Sequence, residues 1–158
     1  MEEVTVKNYQ QLAMRTCLPS AKSWEYCYCL IASEIGEAFG KWGKLFRDGS
    51  FDKDKLTDEL GDVFWGLALA CELGRHSFAN VWENAVDYYD LDISFFTPAI
   101  RDAYSIKMHT LKVSRAMGFA KNFAKCVGID PLECLKRNIS KLADRQERGV
   151  IKGNGDER

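Results

Sequence analysis

The chain has 158 residues, with 22 Lys and Arg against 23 Asp and Glu, for a formal net charge of -1. That length fits one domain able to bury a real core, and the balanced charge offers no global field for polymeric nucleic acid or a membrane surface. No apolar run reaches the length of a membrane span, and the polar, acidic start MEEVTVKNYQ does not read as a secretory signal, so a cytoplasmic location is expected.

Helix formers dominate, only three prolines occur and β-branched runs are scarce, so the chain reads as all-α. The six cysteines contain no CxxC pair; most fall in helical apolar patterns and read as buried, reduced thiols, with zinc disfavoured. A first helix is predicted over 7–17, with Tyr9, Leu12, Ala13 and Thr16 inward. Pro19 and Ser20 break it, and Ser20 or Ser23 caps a second helix running to about Phe46. Gly36, Gly40 and Gly43 weaken that helix by about 1 kcal/mol each relative to alanine. Their near one-turn spacing predicts close packing or a bend.

The sequence RDGSFD forms a loop, and Ser50 or Asp52 caps a third helix reaching at least Leu73, with Gly74 as its stop. A segment from Asn80 to Asp90 extends it after a break. Residues 88–97 are aromatic and irregular. Thr97 before Pro98 starts a long helix to about Val127, and Asp130-Pro131-Leu132-Glu133 is an N-cap signature opening a last helix to about Arg148. A glycine-rich tail follows.

Two acid pairs stand out, Glu34 with Glu37 and Glu59 with Asp62, each spaced i, i+3. On a helix this spacing places both carboxylates of a pair on one side, about a turn apart. The stretch between Glu37 and Glu59 is long enough to end one helix and return antiparallel, so the pairs face each other. Glu34 falls within the apolar stripe of Cys27, Ile31, Ala38 and Trp42. Glu59 and Asp62 flank the stripe of Leu56, Leu60, Val63, Phe64, Leu67 and Cys71. Carboxylates gathered at core-edge positions cost several kcal/mol, roughly, unless cations compensate. Lys and Arg partners are one compensation. A hard divalent cation with oxygen ligands is the other, and Mg²⁺ suits a few carboxylates completed by water and phosphate.

The last helix carries a core stripe of Leu132, Leu135, Ile139 and Leu142, and beside it Asn138, Lys141, Arg145 and Arg148. This basic row either holds an anion or forms a solvated face balancing nearby acids. Lys41, one turn past Glu37, is either an i, i+4 partner or a phosphate ligand. Trp24, Trp42 and Trp65 are candidates to stack a base, or core aromatics.

The stretch SEIGEAFGKWGKLFRDG followed by DELGDVFW resembles the MazG-like, all-α nucleoside triphosphate pyrophosphohydrolases, whose hallmark is ExxE, a spacer and ExxD. The closing NISKLADRQERGVIKGNGDER and the opening NYQQLAMRT are similar to the ends of that family's domain. The likeness covers about residues 7–73 and 126–158, and implies a single domain built as an antiparallel helix bundle with an extra helical insert over about 74–125. It also implies Mg²⁺-dependent cleavage, with Mn²⁺ as a substitute, between the α and β phosphates of a nucleotide, yielding monophosphate and pyrophosphate.

By motif match Glu34, Glu37, Glu59 and Asp62 are the metal ligands and catalytic acids. Lys41, Lys44, Arg47, Asn138, Lys141, Arg145 and Trp65 are the candidate substrate contacts, with Lys152, Asp156 and Arg158 of the tail folding over the ligand. The resemblance further implies a homodimer or homotetramer. The insert departs from the family pattern, and it either covers the pocket, builds a subunit interface or occludes the site. Two other readings stand beside this one. One is a non-catalytic helical interaction module that keeps the scaffold. The other is a carboxylate-bridged di-metal bundle, which needs Glu-x-x-His pairs that His76 and His109 do not provide.

Overall fold

The computed structural model describes residues 2–85 and 110–150. Among these the chain forms six α-helices and one short 3-10 turn, with no strand. We number the helices α1 (Val6–Met14), α2 (Trp24–Asp48), α3 (Lys53–Leu73), α4 (Phe78–Glu83), α5 (Thr110–Cys126) and α6 (Pro131–Glu147). The segment 88–97, the helix start at Thr97-Pro98 and the tail residues Lys152, Asp156 and Arg158 lie outside the described residues.

The caps explain where the helices begin. Thr5 and Asn8 make a reciprocal capping box at α1. Ser23 accepts a hydrogen bond from the Tyr26 amide at 3.2 Å, and Asp52 accepts one from the Lys55 amide at 3.0 Å. Asp130 caps α6 by accepting from the Leu132 amide, with Pro131 in the first turn. Of the alternatives open in the sequence, Ser23 and Asp52 are therefore the residues used. Helix α1 ends at Met14, earlier than the Cys17 expected. Gly49 closes α2 in the left-handed conformation at φ 76°.

Helix α3 is the centre of the molecule. Leu56, Leu60, Phe64, Leu67, Leu69 and Cys71 along it are all fully buried or nearly so, and it packs against each of the other five helices. Helices α2 and α3 form an antiparallel hairpin across residues 49–52. Their register is visible in three ties. The Cys27 thiol donates to the Gly66 carbonyl, Ile31 packs on Gly66, and Lys41 pairs with Glu59 further toward the turn.

Gly66 and Gly61 are the positions of close approach on α3. A Cβ at 66 would lie 2.6 Å from Ile31 Cγ1, and one at 61 would lie 2.9 Å from the Cys134 carbonyl oxygen of α6. By contrast, a Cβ at Gly36, Gly40 or Gly43 meets nothing within 4 Å. Of the close packing or bend expected of those three glycines, the close packing is absent among the described residues, because all three are exposed on the outer side of α2.

Part of the predicted insert belongs to the core. Met117, Ala120, Phe123 and Ala124 of α5 are buried, and Phe123 stacks on Phe39 of α2 with ring centroids 5.3 Å apart. Trp42 joins the same cluster, edge-on to Phe123 at 5.4 Å. Of the six cysteines, Cys27, Cys71 and Cys134 are buried, Cys17 is half-buried and Cys29 and Cys126 are exposed, all as free thiols. No helix among the described residues is long and apolar enough to cross a membrane.

Candidate metal centre

The α2–α3 hairpin and α6 meet at a cluster of acids. Helix α2 supplies Glu34, one turn beyond the buried Ile31. Helix α3 supplies Glu59 and Asp62, whose neighbours Leu60, Gly61 and Val63 are in the core. Each of these three acids offers a carboxylate oxygen, and the three oxygens lie within 4.8 Å of one another, a spacing that can hold one metal ion. All three side chains are half-buried. Oxygen-only donors that share negative charge in a partly dry site suit a hard divalent cation.

Electrostatics record the crowding. The Glu34 carboxyl is pushed up to about 8, first by burial and then by the charges of Asp62, Glu37 and Glu59, with Lys141 opposing. Burial also raises Glu59, against the hydrogen bond and charge of Lys41. Glu37 is near enough to push on both, yet it is not one of the three acids whose oxygens converge. It accepts a hydrogen bond from Ser33 Oγ at 3.3 Å instead. Glu37 lies one turn along and about 60° around α2 from Glu34.

Two lysines reach the cluster. Lys41 Nζ lies 3.2 Å from Glu59 Oε1, and Lys141 of α6 forms an ion pair with Asp62 Oδ2. Two of the three acids are therefore paired with lysines, within a cluster whose oxygens are close enough together to hold an ion. Asp62 is also held by Asn138, whose Nδ2 donates to Oδ1 at 2.8 Å. Asn138 does not share the rim with the basic row. It is 1 % exposed, and its amide is engaged by Asp62 and Tyr9, so it stands behind the acids and is turned away from any solvent-borne anion.

The remaining candidates separate by position. Lys44 is exposed on α2. Arg47, also exposed, makes two hydrogen bonds of 2.7 Å to its neighbour Asp48. Arg145 is half-buried one turn past Lys141 on α6. The Trp65 indole donates to the Ala13 carbonyl at 3.2 Å, which ties α3 to α1, and Trp24 stacks on Tyr28 within α2. Trp24, Trp42 and Trp65 are all partly buried and packed against the core.

Arg137 lies outside both stripes of α6 that the sequence displays. Its guanidinium bonds both oxygens of Asp58, at 2.9 and 3.1 Å, and Asp54 at 2.7 Å. This bidentate clamp fixes α6 against α3 beside the acids. Tyr9, legible only as an inward residue, reaches Asn138 from α1.

No protein-family model matches this chain, and no match emerges among curated proteins or solved structures. The reading of the site therefore rests on its residues and geometry.

Proposed function

We propose that the acid cluster between α2 and α3 is a divalent-metal site at which a nucleoside triphosphate is hydrolysed between its α and β phosphates, in the manner of the MazG-like enzymes whose motif spacing the chain resembles. The observation that carries this reading is the meeting of Glu34, Glu59 and Asp62, from two helices, with oxygens within 4.8 Å. Glu34, Glu59 and Asp62 would hold Mg²⁺, with Mn²⁺ as a substitute, and Glu37 stands beside them. When bound, the ion supplies charge neutralisation for the polyphosphate and acidifies water.

The chain's own residues complete the chemistry. Phosphoryl chemistry of this kind depends on positioning and charge stabilisation rather than on a covalent protein intermediate. Lys41 and Lys141 contribute positive charge beside the carboxylates, paired with Glu59 and Asp62. Arg145 and Lys44 extend that charge outward. One of the glutamates of the cluster would orient the attacking water or take its proton.

The test is incubation with a panel of canonical and modified nucleotides, with and without Mg²⁺. Monophosphate and pyrophosphate should appear only with the ion. Glu34→Gln and Asp62→Asn should each lower turnover by at least about a hundredfold with helical content intact, consistent with losing a directly engaged charged group. Release of orthophosphate would reject α–β cleavage.

The ion pairs Lys41–Glu59 and Lys141–Asp62 favour a second reading, in which the cluster is a charge-balanced helix seam of a non-catalytic module. Calorimetric titration with Mg²⁺ and Mn²⁺ separates the two, since the seam reading predicts no saturable heat.

A further inference from the structure

Behind the acid cluster runs a buried polar chain that packing alone does not require. Tyr9 of α1 is 0 % exposed and Asn138 of α6 is 1 % exposed. The Tyr9 hydroxyl donates to Asn138 Oδ1 at 3.0 Å, and Asn138 Nδ2 donates to Asp62 Oδ1 at 2.8 Å. A second acceptor, the Gly61 carbonyl, lies 3.5 Å from the same hydroxyl.

The direction of this chain follows from donor and acceptor chemistry. An ionised carboxylate only accepts, so Asn138 must turn its NH₂ to Asp62 and its oxygen to Tyr9. The flipped amide would set two acceptors against each other. Burial, and then the charge of Asp62, push the Tyr9 phenol well above its ordinary value, which keeps it a donor. The arrangement also needs a glycine at 61. A Cβ there would lie 3.0 Å from Asn138 Cβ and 2.9 Å from the Cys134 carbonyl, which would force α6 outward and draw the amide away.

We propose that Tyr9 is a positioning residue for the metal site. Acting through Asn138, it fixes the Asp62 carboxylate so that its remaining lone pairs face Glu34 and Glu59. This rests on the reading of those three acids as a divalent-cation site. Groups that orient a ligand from behind commonly change metal affinity by about 10- to 100-fold when removed. A fully buried phenol that served packing alone would leave that affinity untouched when its hydroxyl is deleted.

The experiment measures Mn²⁺ binding to the full chain by the loss of the free-ion EPR signal, at a temperature where circular dichroism shows every variant folded. Tyr9→Phe keeps the ring and removes only the hydroxyl. It is expected to weaken Mn²⁺ binding by about tenfold with helical content unchanged. The double variant Tyr9→Phe/Asn138→Ala should bind no more weakly than Asn138→Ala alone, since the hydroxyl acts only through the amide. If Asn138→Ala does not fold, Asn138→Ser takes its place in the cycle.

Wild-type affinity in Tyr9→Phe, even with a lowered melting temperature, overturns the positioning role and leaves the metal site standing. Additive losses in the cycle overturn the route through Asn138. Absence of Mn²⁺ binding in the wild-type chain at millimolar ion removes both the site and this inference.

Discussion

At the scale of single residues, Glu34 carries the sharpest consequence. Its carboxyl titrates at 4.5 in the absence of the fold and is pushed up to about 8 within it. Between those values the folded chain holds a proton that the unfolded chain has lost. Folding stability then falls as pH rises, being fully favoured below 4.5 and lost as pH climbs through the folded value. Glu59 is shifted in the same direction and adds to the trend. We therefore expect the chelator-treated chain to melt at lower temperature at pH 8 than at pH 5.5. Glu34→Gln should remove much of that difference and should be the more stable form at pH 8, by roughly 1–3 kcal/mol once solvent access is allowed for. Melting curves at the two pH values check it, and a Glu34→Gln chain as pH-sensitive as the wild type would place the titrating group elsewhere.

The elements of the fold show what was legible in the sequence. Helix starts could be read from chemistry that is local in the chain. Ser23, Asp52 and the Asp130-Pro131 pair all cap as their types demand. The i, i+3 spacing of acids announced two facing pairs, and three of the four carboxylates do converge. The fourth, Glu37, is instead engaged by the Ser33 hydroxyl on its own helix. Contacts that join distant segments could not be read. Asn138 sat in an apparently basic row, and only its meeting with Tyr9 and Asp62 across long sequence separations reveals a buried role. The Arg137 clamp on Asp54 and Asp58 likewise joins segments far apart in the chain, so no local pattern announces it.

Glycines in α2 and α3 look alike in sequence and differ only in what approaches them, which yields opposed predictions. Gly61→Ala must displace α6 backbone, costing about 1–3 kcal/mol. Gly40→Ala meets nothing within 4 Å and should stabilise by about 0.5–1 kcal/mol through better helix propensity. Urea unfolding of the two variants tests both signs. A destabilised Gly40→Ala would mean that the outer face of α2 packs against something beyond the described residues.

For the whole molecule, the site sits where three helices are joined, so ligand binding there reports on global stability. Glu34 lies on α2, Glu59 and Asp62 lie on α3, and α6 is tied to them through Lys141, Asn138 and Arg137. An ion held by acids from two helices binds the folded chain and not the unfolded one. At a hundred times its dissociation constant such an ion adds about 2.7 kcal/mol. For a domain of this size that corresponds to a rise in melting temperature of roughly 5–11 °C. The rise should be larger at pH 8 than at pH 5.5, because the cation must displace the proton that Glu34 retains at the lower pH. Mg²⁺ and Mn²⁺ should both produce it, and Glu34→Gln and Asp62→Asn should each diminish it. Thermal melts across ion concentration at two pH values measure all of this without reference to turnover. A shift that is equal at both pH values, or that survives in Asp62→Asn, would put the ion somewhere other than among these acids.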